Sequence, residues 1–92
     1  MKLTVEFFGL PRRLSGKKKA SVEVRDGATV RDVAIALAKH FPAFLGQLIL
    51  PETYELVGSY FFYNFDAGRA LKEDEKVEEG AHLLLMFVDA GG

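Results

Sequence analysis

The chain has 92 residues, 49% of them hydrophobic and 27% charged, which suits one globular domain burying roughly 60 to 68% of the surface its unfolded form exposes. Twelve basic against 13 acidic residues leave a formal charge of -1, a balance that points away from nucleic acid and anionic membranes and toward protein partners. With no cysteine, disulfides, zinc-thiolate sites and thiol nucleophiles are all excluded, in keeping with a reducing compartment.

The N-terminal run Met1-Lys2-Leu3-Thr4-Val5-Glu6 alternates in polarity from the start. It has no apolar segment followed by a small-residue cleavage site, so no signal peptide is expected and the protein reads as soluble and cytoplasmic. Residues 2–8 set Leu3, Val5 and Phe7 against Lys2, Thr4 and Glu6, the period of a strand with one face on a core, and Phe8 breaks the alternation. Gly9, Pro11, Ser15 and Gly16 mark a loop carrying Arg12 and Arg13, after which residues 20–25 alternate again and stop at Asp26-Gly27. Two strands joined by a polar loop predict a hairpin.

Thr29 with Asp32 three residues on forms a capping-box pattern, and Val30, Val33, Ala34, Leu37, Ala38 and Phe41 follow at helical spacing up to Pro42. This predicts the main helix, ended by the proline. Residues 43–58 fit a short helix or a brief strand over Leu48-Ile49-Leu50 equally well. Residues 59–65 form an aromatic strand that needs cover on both faces, 66–80 an acidic loop turning at Glu79-Gly80, and 82–88 a buried strand too short to cross a membrane. The order predicts an α+β domain, a mixed sheet of four to five strands with one main helix on one face.

The last strand is apolar on both parities, as a central strand would be. Either residues 43–58 fold over the second sheet face, or that face stays open as a protein-binding patch of Phe8, Leu84, Met86 and Val88 with one parity of the Tyr60 to Tyr63 aromatics, Phe62 among the candidates.

Catalytic patterns are sparse. His40 and His82 lack metal-ligand spacing and read as surface or edge residues, and no metal site is expected. Gly16-Lys17-Lys18-Lys19 lacks the upstream glycine and following hydroxyl of a phosphate loop. The tail Asp89-Ala90-Gly91-Gly92 remains. A glycine carboxylate is unhindered and, activated as an acyl phosphate derivative, accepts a sulfur or amine nucleophile; fully extended, residues 89–92 reach roughly 13 to 14 Å into an enzyme's site. Against this, two final glycines also arise by composition alone, or as a frayed end.

Taken in order, Val5-Glu6-Phe7-Phe8-Gly9 with Arg13 and Gly16, Thr29-Val30-Arg31-Asp32-Val33, Phe62-Tyr63-Asn64, Val77-Glu78-Glu79-Gly80 and Gly91-Gly92 resemble one known pattern. The chain is similar to the small sulfur carriers of the ubiquitin-like β-grasp fold, specifically the small subunit of molybdopterin synthase (molybdopterin-converting factor subunit 1) and the thiamine-biosynthesis sulfur carrier. The resemblance implies a β-grasp body over residues 1–88 with a flexible tail, 89–92. It implies a non-catalytic carrier whose Gly92 carboxylate is adenylated by an activating enzyme related to ubiquitin's (E1-like), converted to a thiocarboxylate and used as a sulfur donor, with Gly91, Ala90 and Asp89 as the threading tail. The partners implied are that adenylating enzyme and the large subunit of molybdopterin synthase, in a heterotetramer, with neither nucleic acid nor membrane. No cofactor is implied for this chain; ATP and Mg belong to the activating enzyme. Two departures from the molybdopterin pattern are Phe87-Val88-Asp89 in place of prolines before the final residues, and Glu79-Gly80-Ala81 where Asp-Gly-Asp is usual. A ubiquitin-like modifier joined to lysines through the same glycine, and a carrier for thiamine or tRNA thiolation, are the alternatives.

Overall fold

The structure, a computed structural model, describes residues 1–88. In chain order it contains β1 (Lys2–Phe7), α1 (Leu10–Ser15), β2 (Lys19–Glu23), α2 (Val30–His40), a single 3-10 turn (Pro42–Phe44), β3 (Tyr60–Asn64), β4 (Arg69–Ala70) and β5 (His82–Phe87). The five strands form one mixed sheet in the order β2-β1-β5-β3-β4. β1 and β5 run parallel, and the other neighbouring pairs are antiparallel.

β5 therefore lies at the centre, between β1 and β3, which accounts for its apolar residues on both parities. Leu83 and Leu85 face α2, beside Val5 and Phe7 on one side and Asn64 and Phe62 on the other. With Leu3, Val22, Val33 and Leu37 they make the single core.

The sequence reading placed a plain loop at 9–16, but α1 is helical there. A proline is tolerated in a helix's first turn, where its missing N–H has no partner to lose, and Gly16, left-handed at φ 72°, ends the helix by donating its N–H to the Arg12 carbonyl at 2.9 Å. The residues that looked like loop punctuation are the two ends of a short helix.

α2 forms where expected. The Asp32 carboxylate accepts the Thr29 N–H at 2.9 Å, completing the capping box. Its remaining exposed N–H groups are met by the loop ahead of β5: Val30 donates to the Glu75 carbonyl at 2.9 Å and Arg31 to the Glu73 carbonyl at 3.1 Å. That loop also holds β4, a two-residue strand against Tyr63 and Asn64 that the acidic composition of 66–80 concealed.

Residues 43–58 are neither helix nor regular strand. Turns closed by isolated bridges, Leu45 with Ile49 and Ile49 with Leu56, bury Phe44, Leu48 and Ile49 completely. Phe44 meets Phe7 and Phe41 with ring centroids 5.5 and 5.2 Å away. The segment thus completes the α2 side of the core, and the described residues leave the opposite sheet face open.

Candidate functional site

The open face is built by strand parity. Its rows are Thr4, Glu6 and then Phe8 from β1; His82, Leu84, Met86 and then Val88 from β5; and Phe61, Tyr63 and then Phe65 from β3. Cross-strand register sets Glu6 and Tyr63 on either side of Leu84, and Phe61 beside Met86. Leu84 is only 8% exposed yet lies outside the main core, shielded by these neighbours. Met86 is half-buried, while Phe8 and Val88 are 49% and 50% exposed.

Phe62 does not belong to this surface. Its side chain points to the α2 side, beside Leu85, and is 0% exposed, so it is a core residue and cannot touch a partner. The reason is parity: in a strand with aromatics at Tyr60, Phe61, Phe62 and Tyr63, the outward pair is Phe61 and Tyr63. Asp89, Ala90, Gly91 and Gly92, the expected working tail, lie outside the described residues.

At the foot of the face, Phe65 sits edge-on to Tyr63 at 5.8 Å between centroids and against the His82 ring at 4.7 Å. His82 Nε2 in turn contacts Glu6 Oε2 across the parallel pair. At the head, the Arg12 guanidinium stands 5.1 Å over the Phe8 ring, while on the other side of the sheet Phe87 packs on Tyr60 at 5.2 Å. The last ladder bond, from the Val88 N–H to the Ser59 carbonyl at 3.1 Å, fixes the point from which residues 89–92 continue.

The sequence reading left open which parity of the Tyr60 to Tyr63 aromatics joins the face, and it missed Glu6, Phe65 and His82. Counting by two from Phe8 and from Met86 would have found Glu6 and His82. Phe87 shares the parity of Leu83 and Leu85 but is 57% exposed.

Two carboxylates are perturbed, both outside the face. Glu75 is lowered to about 2 because Arg69 donates to both its oxygens, at 2.8 and 2.6 Å, with the Lys72 N–H adding a third bond at 2.8 Å. Asp32 is lowered chiefly by the Thr29 backbone N–H. Among the described residues, no three His, Asp or Glu side chains are grouped to hold a metal ion, and no helix is long and apolar enough to cross a membrane. The arrangement is a partly apolar, partly exposed surface that ends at Val88, the last described residue.

One main helix on one face of a five-stranded mixed sheet, with parallel first and last strands at its centre, is the ubiquitin-like β-grasp fold. No protein-family model and no curated protein sequence matches the chain. Solved structures do. The chain is similar to SAMP1 from Haloferax volcanii, at 24% identity over 100% of both chains with a TM-score of 0.83. It is similar to a protein of Pyrococcus furiosus provisionally named molybdopterin converting factor, subunit 1, at 24% identity over 94% of this chain and 95% of that one, with a TM-score of 0.75. A third likeness is to a chain of the Amycolatopsis orientalis BexX/CysO complex, at 21% identity over 98% and 99% of the two chains, with a TM-score of 0.74. The chain shares the fold of these proteins.

Proposed function

We propose that this protein is a sulfur carrier of molybdopterin synthesis, with residues 1–88 as its body and 89–92 as its working tail. The observation that carries the reading is the match in fold, over 94% of this chain, to a protein provisionally named molybdopterin converting factor, subunit 1, in a chain whose central strand is followed in sequence by Asp89-Ala90-Gly91-Gly92. In the proposed cycle, an oxygen of the Gly92 carboxylate attacks the α-phosphorus of ATP bound by an activating enzyme, releasing pyrophosphate. A sulfide donor then displaces AMP at the carbonyl carbon to leave a thiocarboxylate, whose sulfur passes to an acceptor held by the large synthase subunit. This chain supplies the unhindered carbonyl and, through Phe8, Met86 and Val88, the docking face, with Leu84 buried beneath it. Glycines at the final positions leave the approaching enzyme groups no side chain to avoid.

Mass spectrometry tests the reading. Protein from the native host should end at Gly92, and incubation with the matching activating enzyme, ATP and sulfide should exchange one terminal oxygen for sulfur. A chain lacking Gly92 should show no exchange. Equal sulfuration of the truncated chain would sink the proposal.

A second reading, a modifier joined to lysines through the same carbonyl, is favoured by the likeness to SAMP1, two solved examples of which carry the name small archaeal modifier protein 1. Only the acceptor differs. Denaturing gels of extract from cells expressing a tagged chain separate the two: a ladder of isopeptide-linked products supports the modifier, and its absence the carrier.

A further inference from the structure

The formal charge of -1 conceals a strong polarity along the strands. Residues 7–22 contain five cations, Arg12, Arg13, Lys17, Lys18 and Lys19, and no carboxylate; residues 66–80 contain six carboxylates and three cations. The register puts these segments at opposite ends of the sheet. The Phe7 N–H donates to the Lys18 carbonyl at 2.8 Å, at the end where Phe7 lies beside Leu85 and Phe87 beside Tyr60. The acidic loop instead meets the other end, where the Gly80 N–H donates to the Lys2 carbonyl at 2.8 Å. The last turn of α2, with Lys39 and His40, joins the basic end through the packing of Phe41 on Phe7, and residues 33–51 hold no carboxylate.

The two kinds of cation are used differently. Arg25, Arg31 and Arg69 each grip a carboxylate, Asp32, Glu73 and Glu75 respectively. Among the described residues, Arg12, Arg13, Lys17 and Lys18 pair with none, and all four are exposed. The Arg12 guanidinium covers the exposed Phe8 ring, and the segment that carries all four lies at the end of the sheet where β5 leads, through the exposed Phe87 and Val88, into residue 89.

We infer that this cation-rimmed apolar corner docks an acidic protein surface that receives aromatic side chains. Unpaired cations around a desolvatable patch match the usual division of an interface into an apolar centre and a charged rim, with the rim speeding encounter more than it deepens affinity. Nucleic acid is the poorer fit, since the acidic opposite end and the negative total would repel an extended polyanion. The inference rests on the docking reading above for the partner being a protein, and it adds the partner's charge.

Two measurements test it. In the first, the KM of the activating enzyme for the full chain is followed as salt is raised. It should rise several-fold between low and high salt as rim charges are screened. The R13E/K17E/K18E variant should start about tenfold higher and respond little to salt, with kcat unchanged. D74K/E78K, which alters the opposite end, should behave as the wild type. A KM indifferent to salt and to the triple variant overturns the proposal, and should that variant not fold, the wild-type salt series decides alone. In the second, NMR shifts are recorded during titration with a short peptide of alternating Glu and Leu, its Ser-Leu counterpart, and single-stranded DNA. Shifts at Phe8, Arg13, Lys17 and Val88 with the acidic peptide alone are expected. No shifts, or tighter binding to DNA, overturn the proposal. If the wild type is never adenylated, the carrier reading fails while this titration still judges the corner.

Discussion

His82 and Glu6 meet on the open sheet face, Nε2 to Oε2, two residues apart in the β1–β5 register. This polar contact stands between the Phe65 ring and the apolar row of Leu84 and Met86, so a partner covering the face must either leave its foot wet or supply groups that satisfy the pair.

Both side chains are partly exposed, 43% for His82 and 31% for Glu6, so water screens their attraction. Removing the imidazole by His82→Ala should cost under about 1 kcal/mol in urea unfolding at neutral pH. A larger loss would mean the pair organises the sheet itself and does not merely rest on it.

The two faces of β3 and β5 predict opposite consequences for neighbouring substitutions. Phe62→Ala empties a fully buried site and should destabilise by about 3 to 5 kcal/mol, seen as a lower urea midpoint with an unchanged slope. Met86→Asp, on the open face beside Phe61, should change stability far less and abolish capture by the activating enzyme. If Met86→Asp binds normally, the open face is not where that enzyme docks.

Much of this arrangement was legible in the sequence because period and punctuation speak directly to local structure. The α2 pattern with its Thr29 and Asp32 cap, and the double-sided apolar run of β5, named the main helix and the central strand. What escaped was set by long-range partners. Residues 43–58 carry no period because Phe44, Leu48 and Ile49 are held by turns and by packing on Phe7, and β4 exists only because Arg69 and Ala70 lie against β3. Phe62 was misplaced for a different reason: four consecutive aromatics give no alternation from which to choose a face.

The capping box at the head of α2 is open to a direct test. Asp32 accepts the Thr29 N–H and also pairs with Arg25 at 3.1 Å, so Asp32→Ala leaves the helix without one side of its box and should cost about 0.5 to 2 kcal/mol. Asp32→Asn keeps an acceptor oxygen and should recover part of that loss. Thermal unfolding of the two variants beside the wild type provides the comparison.

The clasp on Glu75 predicts an acid limb in the stability curve. Arg69 and the Lys72 N–H favour the ionised carboxylate, so its folded-state value of about 2 lies below the ordinary 4.5 expected when unfolded. A group depressed in this direction stabilises fully above the unfolded value, and the contribution fades as pH falls from about 4.5 toward 2, because the unfolded chain takes up the proton first. Glu75 also anchors the loop whose Glu73 and Glu75 carbonyls cap α2, so its protonation should loosen the helix start as well. Urea unfolding at neutral pH and near pH 3 should show the wild type losing more stability on acidification than Glu75→Gln, which has no charge to lose. Equal losses in the two proteins would assign the acid sensitivity to other carboxylates.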